Sequence, residues 1–150
     1  MSSDDLAEAR GTQMTDEAID DFLREQGFGT LAFSDGGRSY AVPVSFGYDA
    51  ERERCYLSLV RFGDDSEKLD FAETTTSAAL CCYAVESRFE WRSVVARGPL
   101  EPIPEDERDH AESVMDDNAW FPSLFPPTEP ITAVERVALV MDEVSGRRSG

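Results

Sequence analysis

Residues 39–48 alternate so regularly that they constrain the fold more than any other stretch of the chain. Large side chains stand at every second position: Tyr40, Val42, Val44, Phe46 and Tyr48. Only small residues stand between them: Ala41, Pro43, Ser45 and Gly47. A period of two indicates a β-strand with one face in a core and a second face that another group can approach closely.

Pro43 lies in the middle of this strand. Proline has no N–H, so the strand cannot be fully paired at that point, and we expect an edge or a bulge there. The small face could accommodate a flat ligand, a helix or a second subunit, and the sequence leaves these three occupants open.

The other apolar patterns predict an antiparallel β-barrel with peripheral helices. Helices are expected at residues 15–27 and 104–117, and further strands at 28–34, 55–62, 77–85, 89–100 and 132–144, which makes six strands. The strand at 77–85 is apolar on both faces, which in so small a protein favours cover by a partner subunit. Residues 1–13 are polar and unpatterned and predict a disordered tail, with one domain from 14 to 150.

The charge balance excludes some classes of partner. The chain has 31 acidic and 14 basic residues and a net charge of −17, which argues against nucleic acid. Lys68 is its single lysine, and this acidic, lysine-poor composition predicts a halophilic protein whose self-repulsion is screened by salt. We expect no membrane span and no signal peptide, and therefore a cytoplasmic location.

Few residues offer metal or nucleophilic chemistry. The three cysteines, Cys55, Cys81 and Cys82, lie in apolar strand patterns and are expected to be buried thiols rather than metal ligands. His110 is the single histidine, so a metal site or triad built on several histidines is excluded.

The segment after the strand at 55–62 contains a possible phosphate site. Ser66 and Lys68 stand at the start of a short helical pattern, where free N–H groups and an ammonium would attract an anion. Asp64 and Glu67 also fit a capping box, in which case Lys68 is only a solvated side chain. Both interpretations stay open on this motif alone.

Taken in order, several segments resemble a known family. They are residues 29–33, 35–37, 40–48, 56–59, Ser66-Glu67-Lys68-Leu69 and residues 91–98. The chain resembles the pyridoxamine 5'-phosphate oxidase-like superfamily of FMN-binding split β-barrels, in particular its small, nitroimidazole-reductase-like members. The resemblance implies a six-stranded antiparallel split barrel, and a homodimer that binds FMN at the subunit interface.

The resemblance also implies a set of cofactor-binding residues. Ser66, Lys68 and Leu69 match the phosphate-binding segment, Val44 and Ser45 the strand beside the flavin ring, and Ser58 and Leu59 the segment beside ring and ribityl chain. The remaining candidates are strand and covering positions: Arg61, Trp91, Arg92, Ser93 and Trp120.

The implied function is that of an oxidoreductase that moves electrons between a nicotinamide-type donor and a small-molecule acceptor. No catalytic side chain is assigned. The residues that bind the substrate phosphate in vitamin B6 oxidases have no clear match, and the histidine that follows the third strand in many reductase-like members corresponds to about Ser58 here. The alternatives are a deazaflavin-dependent reductase and a non-catalytic flavin-binding or dimeric module.

Overall fold

The computed structural model describes residues 11–35, 38–62, 77–118 and 131–149. These residues form nine strands and two α-helices, with a short 3-10 helix at Glu105–Glu107. The strands are β1 (Thr12–Gln13), β2 (Phe28–Asp35), β3 (Arg38–Asp49), β4 (Arg54–Phe62), β5 (Ala78–Ser87), β6 (Glu90–Gly98), β7 (Leu100–Pro102), β8 (Ile131–Val140) and β9 (Glu143–Arg148). The helices are α1 (Asp16–Gln26) and α2 (Arg108–Asn118).

Helix α1 begins and ends where local chemistry requires it. The Thr15 hydroxyl accepts a hydrogen bond from the Ala18 N–H at 3.1 Å, which satisfies one of the free donors of the first turn. Gly27 ends the helix with φ of 64°, a left-handed conformation that glycine adopts without strain. Phe22 and Leu23 are buried against the barrel. The helix predicted from the sequence is confirmed.

All strand pairs are antiparallel, in the order β1-β9-β6-β5-β2-β3-β4-β8-β7. Only Pro99 separates β6 from β7, and only two residues separate β8 from β9. Because β6 pairs with β9 while β7 pairs with β8, the two ends of the sheet meet and the sheet curls into a barrel.

Gly98 lies where these two bent strands cross. A Cβ atom on Gly98 would stand 1.6 Å from the Val140 carbonyl oxygen, so only glycine fits there. The crossing is held by the Val140 N–H donating to the Pro99 carbonyl at 3.0 Å and the Asp142 N–H donating to the Arg97 carbonyl at 2.9 Å.

The mostly β, antiparallel barrel predicted from the sequence is confirmed, with a different strand count. The predicted strand at 132–144 is two strands, β8 and β9, because the chain bends at the crossing. The strand predicted at 89–100 is likewise β6 and β7. Thr12 and Gln13, assigned to the tail, form β1 on the edge of β9.

The large residues of β3 lie in the core as predicted: Val42, Val44, Phe46 and Tyr48 are at most 9 % exposed. On the small face of β3, helix α2 covers Gly47, where a Cβ atom would stand 2.7 Å from the Met115 backbone. A helix is therefore the occupant at Gly47, whereas Ala41 and Pro43 on the same face are exposed.

The cysteines behave as the sequence indicated. Cys55 and Cys82 are buried, and Cys81, the neighbour of Cys82 in β5, points to the other face of the sheet and is half-buried. Burial raises the pKa of the Cys82 thiol to about 12, so it stays protonated near neutral pH. In the described ranges no helix is long and apolar enough to cross a bilayer.

Candidate functional site

Strands β3 and β4 part halfway along their length. Their pairing runs from Asp49↔Arg54 to Phe46↔Leu57 and stops at that pair. Yet β3 continues beside β2 as far as Arg38, and β4 continues beside β8 as far as Phe62. A gap therefore opens between the two strands, which we call the β3–β4 gap.

Pro43 gives a physical reason for this gap. The Phe46 N–H donates to the Gly27 carbonyl at 2.9 Å, toward β2. Backbone N–H groups alternate in direction along a strand, so position 43 faces the β4 side, where proline has no N–H to donate. The predicted edge at Pro43 is confirmed. Strands β2 and β3 pair through Pro43 without a register shift, so Pro43 does not form a bulge.

Four of the candidate residues flank the point where the strands part. Ser45 and Ser58 are the first positions beyond the last β3–β4 pair, and Val44 and Leu59 are the next. The Val44 side chain is buried in the core at 5 % exposure, so Val44 borders the gap only with its main chain, whose N–H points toward β2 like that of Phe46. Ser45 is half-buried, and its Oγ donates to the Gly27 carbonyl at 3.2 Å.

On the β4 side, the structure describes the backbone of the candidates. Ser58, Leu59 and Arg61 pair with Arg136, Glu135 and Ala133 of β8, respectively. Strand β4, which borders the gap on one edge, is thus held in place by its pairing with β8 on the other edge. Four further candidates, Ser66, Lys68, Leu69 and Trp120, lie outside the described residues.

Ser93 lies on a broad surface that we call the outer face. It consists of the side chains of β3, β2, β5, β6 and β9 that alternate with the buried core positions. The described members that α2 leaves open are Phe28, Thr30, Ala32, Ser39, Ala41, Pro43, Ser45, Ala79, Cys81, Tyr83, Val85, Trp91, Ser93, Val95, Arg97, Glu143, Ser145 and Arg147. Gly47 and Asp49, at the same alternation in β3, lie beneath α2 and are not counted in the outer face. The structure thereby brings Ser45 and Ser93 onto one surface.

Large apolar groups of the outer face are open to solvent in the single chain. Tyr83 is 61 % exposed, Val85 64 % and Phe28 41 %. The charged members in the described part are Arg97, Glu143 and Arg147. The strand predicted to be apolar on both faces is β5, and Tyr83 and Val85 lie on its outer side.

Trp91 and Arg92 are adjacent in sequence but contact different parts of the chain. The Trp91 backbone N–H donates to the Ser149 Oγ at 3.0 Å, and a Cβ atom on Gly11 would stand 2.7 Å from the Trp91 indole ring. The Arg92 guanidinium lies 4.8 Å from the centre of the Phe22 ring and 3.7 Å from the Glu25 carboxylate. Both line a cavity of about 230 Å³ at the end of the barrel, away from the gap.

A buried polar cluster that no sequence motif indicated lies at the paired end of β3 and β4, beneath α2. Asp49 is 8 % exposed, and its Oδ2 lies 2.7 Å from His110 Nε2 and accepts from the Tyr56 hydroxyl at 3.3 Å. The Arg52 N–H donates to Oδ1 at 3.2 Å. These contacts tie α2 to the barrel.

The electrostatics of this cluster favour the charged form of Asp49. Burial on its own would raise the pKa of Asp49, but hydrogen bonds from His110 and the Arg52 N–H outweigh it and lower the pKa from its ordinary value of 3.8. No local pattern announces this cluster, because 61 residues separate Asp49 from His110. In the described segments no three His, Cys, Asp or Glu side chains are grouped as a metal ion would require.

Tyr48, which precedes Asp49 in β3 and lies on the opposite, core-facing side of the strand, is also tied to a carboxylate. Its hydroxyl donates to Asp20 of α1. Burial, together with this hydrogen bond, raises the pKa of Tyr48 above its ordinary value of 10.0, so the phenol stays neutral and α1 stays attached to β3.

Several known proteins are similar to this chain. An uncharacterized protein of Rhizobium meliloti is 27 % identical over 128 residues, which cover 78 % of this chain and 81 % of that protein. An FAD-binding protein from Mesorhizobium loti has a TM-score of 0.68 and 22 % identity, covering 93 % of this chain and 98 % of the other. An FAD-binding protein from Mycobacterium smegmatis has a TM-score of 0.67 and 14 % identity, covering 92 % of this chain and 98 % of the other.

The structural similarities are too low in identity to show more than a shared fold. The sequence match is wider: the model of the pyridoxamine 5'-phosphate oxidase family matches residues 15–148, nearly the whole described barrel. The chain therefore belongs to the pyridoxamine 5'-phosphate oxidase family.

Proposed function

We propose that this chain is a flavin-binding protein that holds FMN in the β3–β4 gap, where two copies of the chain meet. The observation that carries the proposal is the position of the gap. It opens beside Val44, Ser45, Ser58 and Leu59, the residues that the family resemblance assigned to the flavin. The FAD-binding protein of Mesorhizobium loti, which shares the fold, supports a flavin as the ligand class.

The residues beside the gap fit a flat, largely uncharged ring. Ala41 and Pro43 are small and exposed, and Ser45 presents a hydroxyl that a ring edge could approach. No acidic side chain stands among the outer-face positions of β3 and β2 that the structure describes and α2 leaves open, although the chain as a whole is strongly acidic. The Asp49 carboxylate, at the covered end of β3, is buried against His110. A ring entering here would therefore avoid unfavourable contact with carboxylates.

The phosphate site stays a sequence-based part of the proposal. Ser66 and Lys68 follow β4 directly in the chain, and β4 borders the gap. An ammonium and a hydroxyl at a helix start would bind a phosphate by charge-assisted hydrogen bonds. Leu69, Arg61 and Trp120 complete the proposed surroundings, and Ser93, Trp91 and Arg92 are proposed contacts from the facing subunit.

A second copy of the chain is the proposed occupant of the outer face. That face combines exposed apolar groups, such as Tyr83 and Val85, with a small charge, so two copies can meet without bringing acidic side chains together. Burial of such a surface is favourable at about 25 cal/mol per Å². A homodimer would cover β5 on both faces and place Ser93 of one copy near the gap region of the other.

The proposed activity is electron transfer between a nicotinamide-type donor and a small-molecule acceptor. When bound, a flavin supplies hydride and single-electron transfer. The chain's own residues would bind the ring, orient its reactive face and exclude water. The described outer face contains no histidine, so the proposal assigns no side chain as acid or base.

Two alternatives remain tied to the same gap. A deazaflavin-dependent reductase would use the same neutral surface for a related flat ring, and a non-catalytic flavin-binding module would bind without turnover. Membership in the nitroimidazole-reductase-like branch and a halophilic origin stay predictions that rest on the resemblance and on the net charge of −17.

Reconstitution with flavin tests the proposal. The protein is purified in about 1 M KCl, where self-repulsion is screened, and is incubated with excess FMN, FAD or a deazaflavin and then desalted at the same salt. We expect FMN to be retained at one per subunit. A folded protein that retains none of the three would contradict the proposal, and retention of the deazaflavin alone would favour the alternative reductase.

A donor assay separates catalysis from simple binding. The reconstituted protein is mixed anaerobically with NADH or NADPH, and the visible flavin band is followed. Bleaching that is reversed by a small oxidant supports an oxidoreductase. A band that neither donor changes would favour the binding module.

A further inference from the structure

The charge of the outer face differs sharply from that of the whole chain. The net charge of the chain is −17. The described side chains of the outer face include one carboxylate, Glu143, and two guanidinium groups, Arg97 and Arg147. The other acidic side chains that the structure describes therefore lie outside the outer face.

We infer that ionic strength controls whether two copies of the chain pair through the outer face, and thereby whether the flavin site between them is complete. The inference rests on the proposed homodimer and its shared site. Local contacts favour pairing because the face is apolar and nearly neutral. The charge of the two whole chains opposes it, and only this opposing contribution depends strongly on salt.

The attractive surface is modest in size. Five strands at about 4.8 Å spacing give a width of about 20 Å, and the alternating positions extend about 20 Å along the strands. This flat footprint of about 400 Å² counts the described strands only, and the accessible surface that two such faces bury is larger because their side chains interdigitate. Pairing through this face competes with the repulsion between two strongly acidic chains, so a large change in that repulsion is expected to change the population of the dimer.

The repulsion is large at low salt and small at high salt. It scales with the product of the two net charges and acts over the Debye length, which is about 10 Å at 0.1 M and about 3 Å at 1 M salt. For two compact bodies with net charges of −17, we expect the dimer dissociation constant to fall on the order of a hundredfold between these two concentrations.

Two variants separate the two contributions. In the first, exposed acidic residues that are not part of the outer face become lysine: Glu51→Lys, Glu101→Lys and Asp116→Lys. Each substitution adds two positive charges, so the net charge rises from −17 to −11 and the repulsion falls to less than half. In the second, Tyr83→Glu places a carboxylate on the outer face at a side chain that is 61 % exposed, where the fold should tolerate it.

The experiment is sedimentation equilibrium of the flavin-free chain from 0.1 to 3 M KCl, with far-UV circular dichroism at each salt concentration. Comparisons use only concentrations at which the spectrum is that of the folded protein. We expect tighter dimerisation of the wild type as salt rises, a weaker salt dependence in the triple lysine variant, and a monomer at all salt concentrations in Tyr83→Glu. FMN retention is measured on the same samples.

A dissociation constant that does not change with salt, or an equal salt dependence in the wild type and the triple lysine variant, would overturn the inference. If such a salt-independent dimer retains FMN, the proposed function stands and only the salt control fails. A wild type that stays monomeric at every salt concentration overturns the inference and the proposed dimer together.

Discussion

Asp49 shows how one buried side chain can fix an element that is distant in sequence. It accepts hydrogen bonds from the Arg52 N–H and the Tyr56 hydroxyl and pairs with His110 of α2. A buried carboxylate that loses a partner keeps the cost of its desolvation without the compensating bond. The cluster thus contributes to stability mainly by avoiding an unsatisfied charge.

Substitution of His110 tests this arrangement. His110→Ala removes one partner of Asp49, and we expect the free energy of unfolding to fall by about 1–2 kcal/mol. The measurement is urea unfolding in constant high KCl. Ser113→Ala, at an exposed position of the same helix, is the matched control and should change the stability little. Equal effects of the two substitutions would refute the anchoring role of His110.

The lowered pKa of Asp49 predicts a specific pH dependence. A carboxyl group with a lowered pKa in the folded state adds stability above its unfolded value, and that stability is lost as pH falls through the folded value. In Asp49→Asn this contribution is absent. The stability difference between wild type and Asp49→Asn should therefore be complete above about pH 4 and should shrink as pH falls below 3.8.

Urea midpoints of both proteins between pH 3 and 6 provide the measurement. A difference that stays constant through this range, or that grows toward acid pH, would contradict the lowered pKa.

At the scale of elements, the barrel is closed by the crossing of β6–β7 with β8–β9. Gly98→Ala would place a methyl group 1.6 Å from the Val140 carbonyl oxygen, so the crossing strands must separate. We expect a loss of about 3 kcal/mol or more in unfolding free energy, because backbone rather than a flexible side chain must move. Arg97→Ala, at the exposed neighbouring position, is the control.

Thermal unfolding of the two variants in the same high-salt buffer measures this predicted loss of stability. The account requires a much lower Tm for Gly98→Ala than for Arg97→Ala. Similar Tm values would show that the crossing tolerates a side chain and does not depend on glycine.

The β3–β4 gap offers a second prediction at this scale. Pro43→Val restores an N–H on the β4 side, and the strands can then pair further and narrow the gap. We expect FMN affinity to fall about tenfold or more while stability is kept. Ala41→Val places the same side chain on the same exposed face without adding an N–H, and it should bind FMN more tightly than Pro43→Val.

Fluorescence quenching of FMN, titrated with each protein in high KCl, gives the affinities. If both variants bind as tightly as the wild type, the gap is not the flavin site. If both lose affinity equally, the added side chain rather than the restored N–H is responsible.

At the scale of the whole molecule, the sequence predicted what depends on local pattern. Neighbouring residues determine three of these features: the period of two in β3, the caps of α1 at Thr15 and Gly27, and the edge at Pro43. The break between β8 and β9 is different. It depends on a contact between Val140 and Pro99, which are far apart in sequence, while the apolar pattern runs on through Met141 and Val144.

The candidate site likewise combines features that local motifs predict with features that depend on contacts between distant residues. The family resemblance assigned the two sides of the gap through short motifs around Ser45 and Ser58, and the structure brings them together at the point where pairing stops. The two apolar faces of the strand at 77–85 were predicted from its sequence, but only the structure shows which face is open in the single chain, the one that carries Tyr83 and Val85.

The most direct test of this account is a crystal structure of the protein grown with FMN in high salt. The account predicts flavin density between β3 and β4, with the outer face covered by a second copy of the chain. Flavin bound instead in the cavity beside Trp91 and Arg92, or a single chain whose outer face stays open, would contradict it.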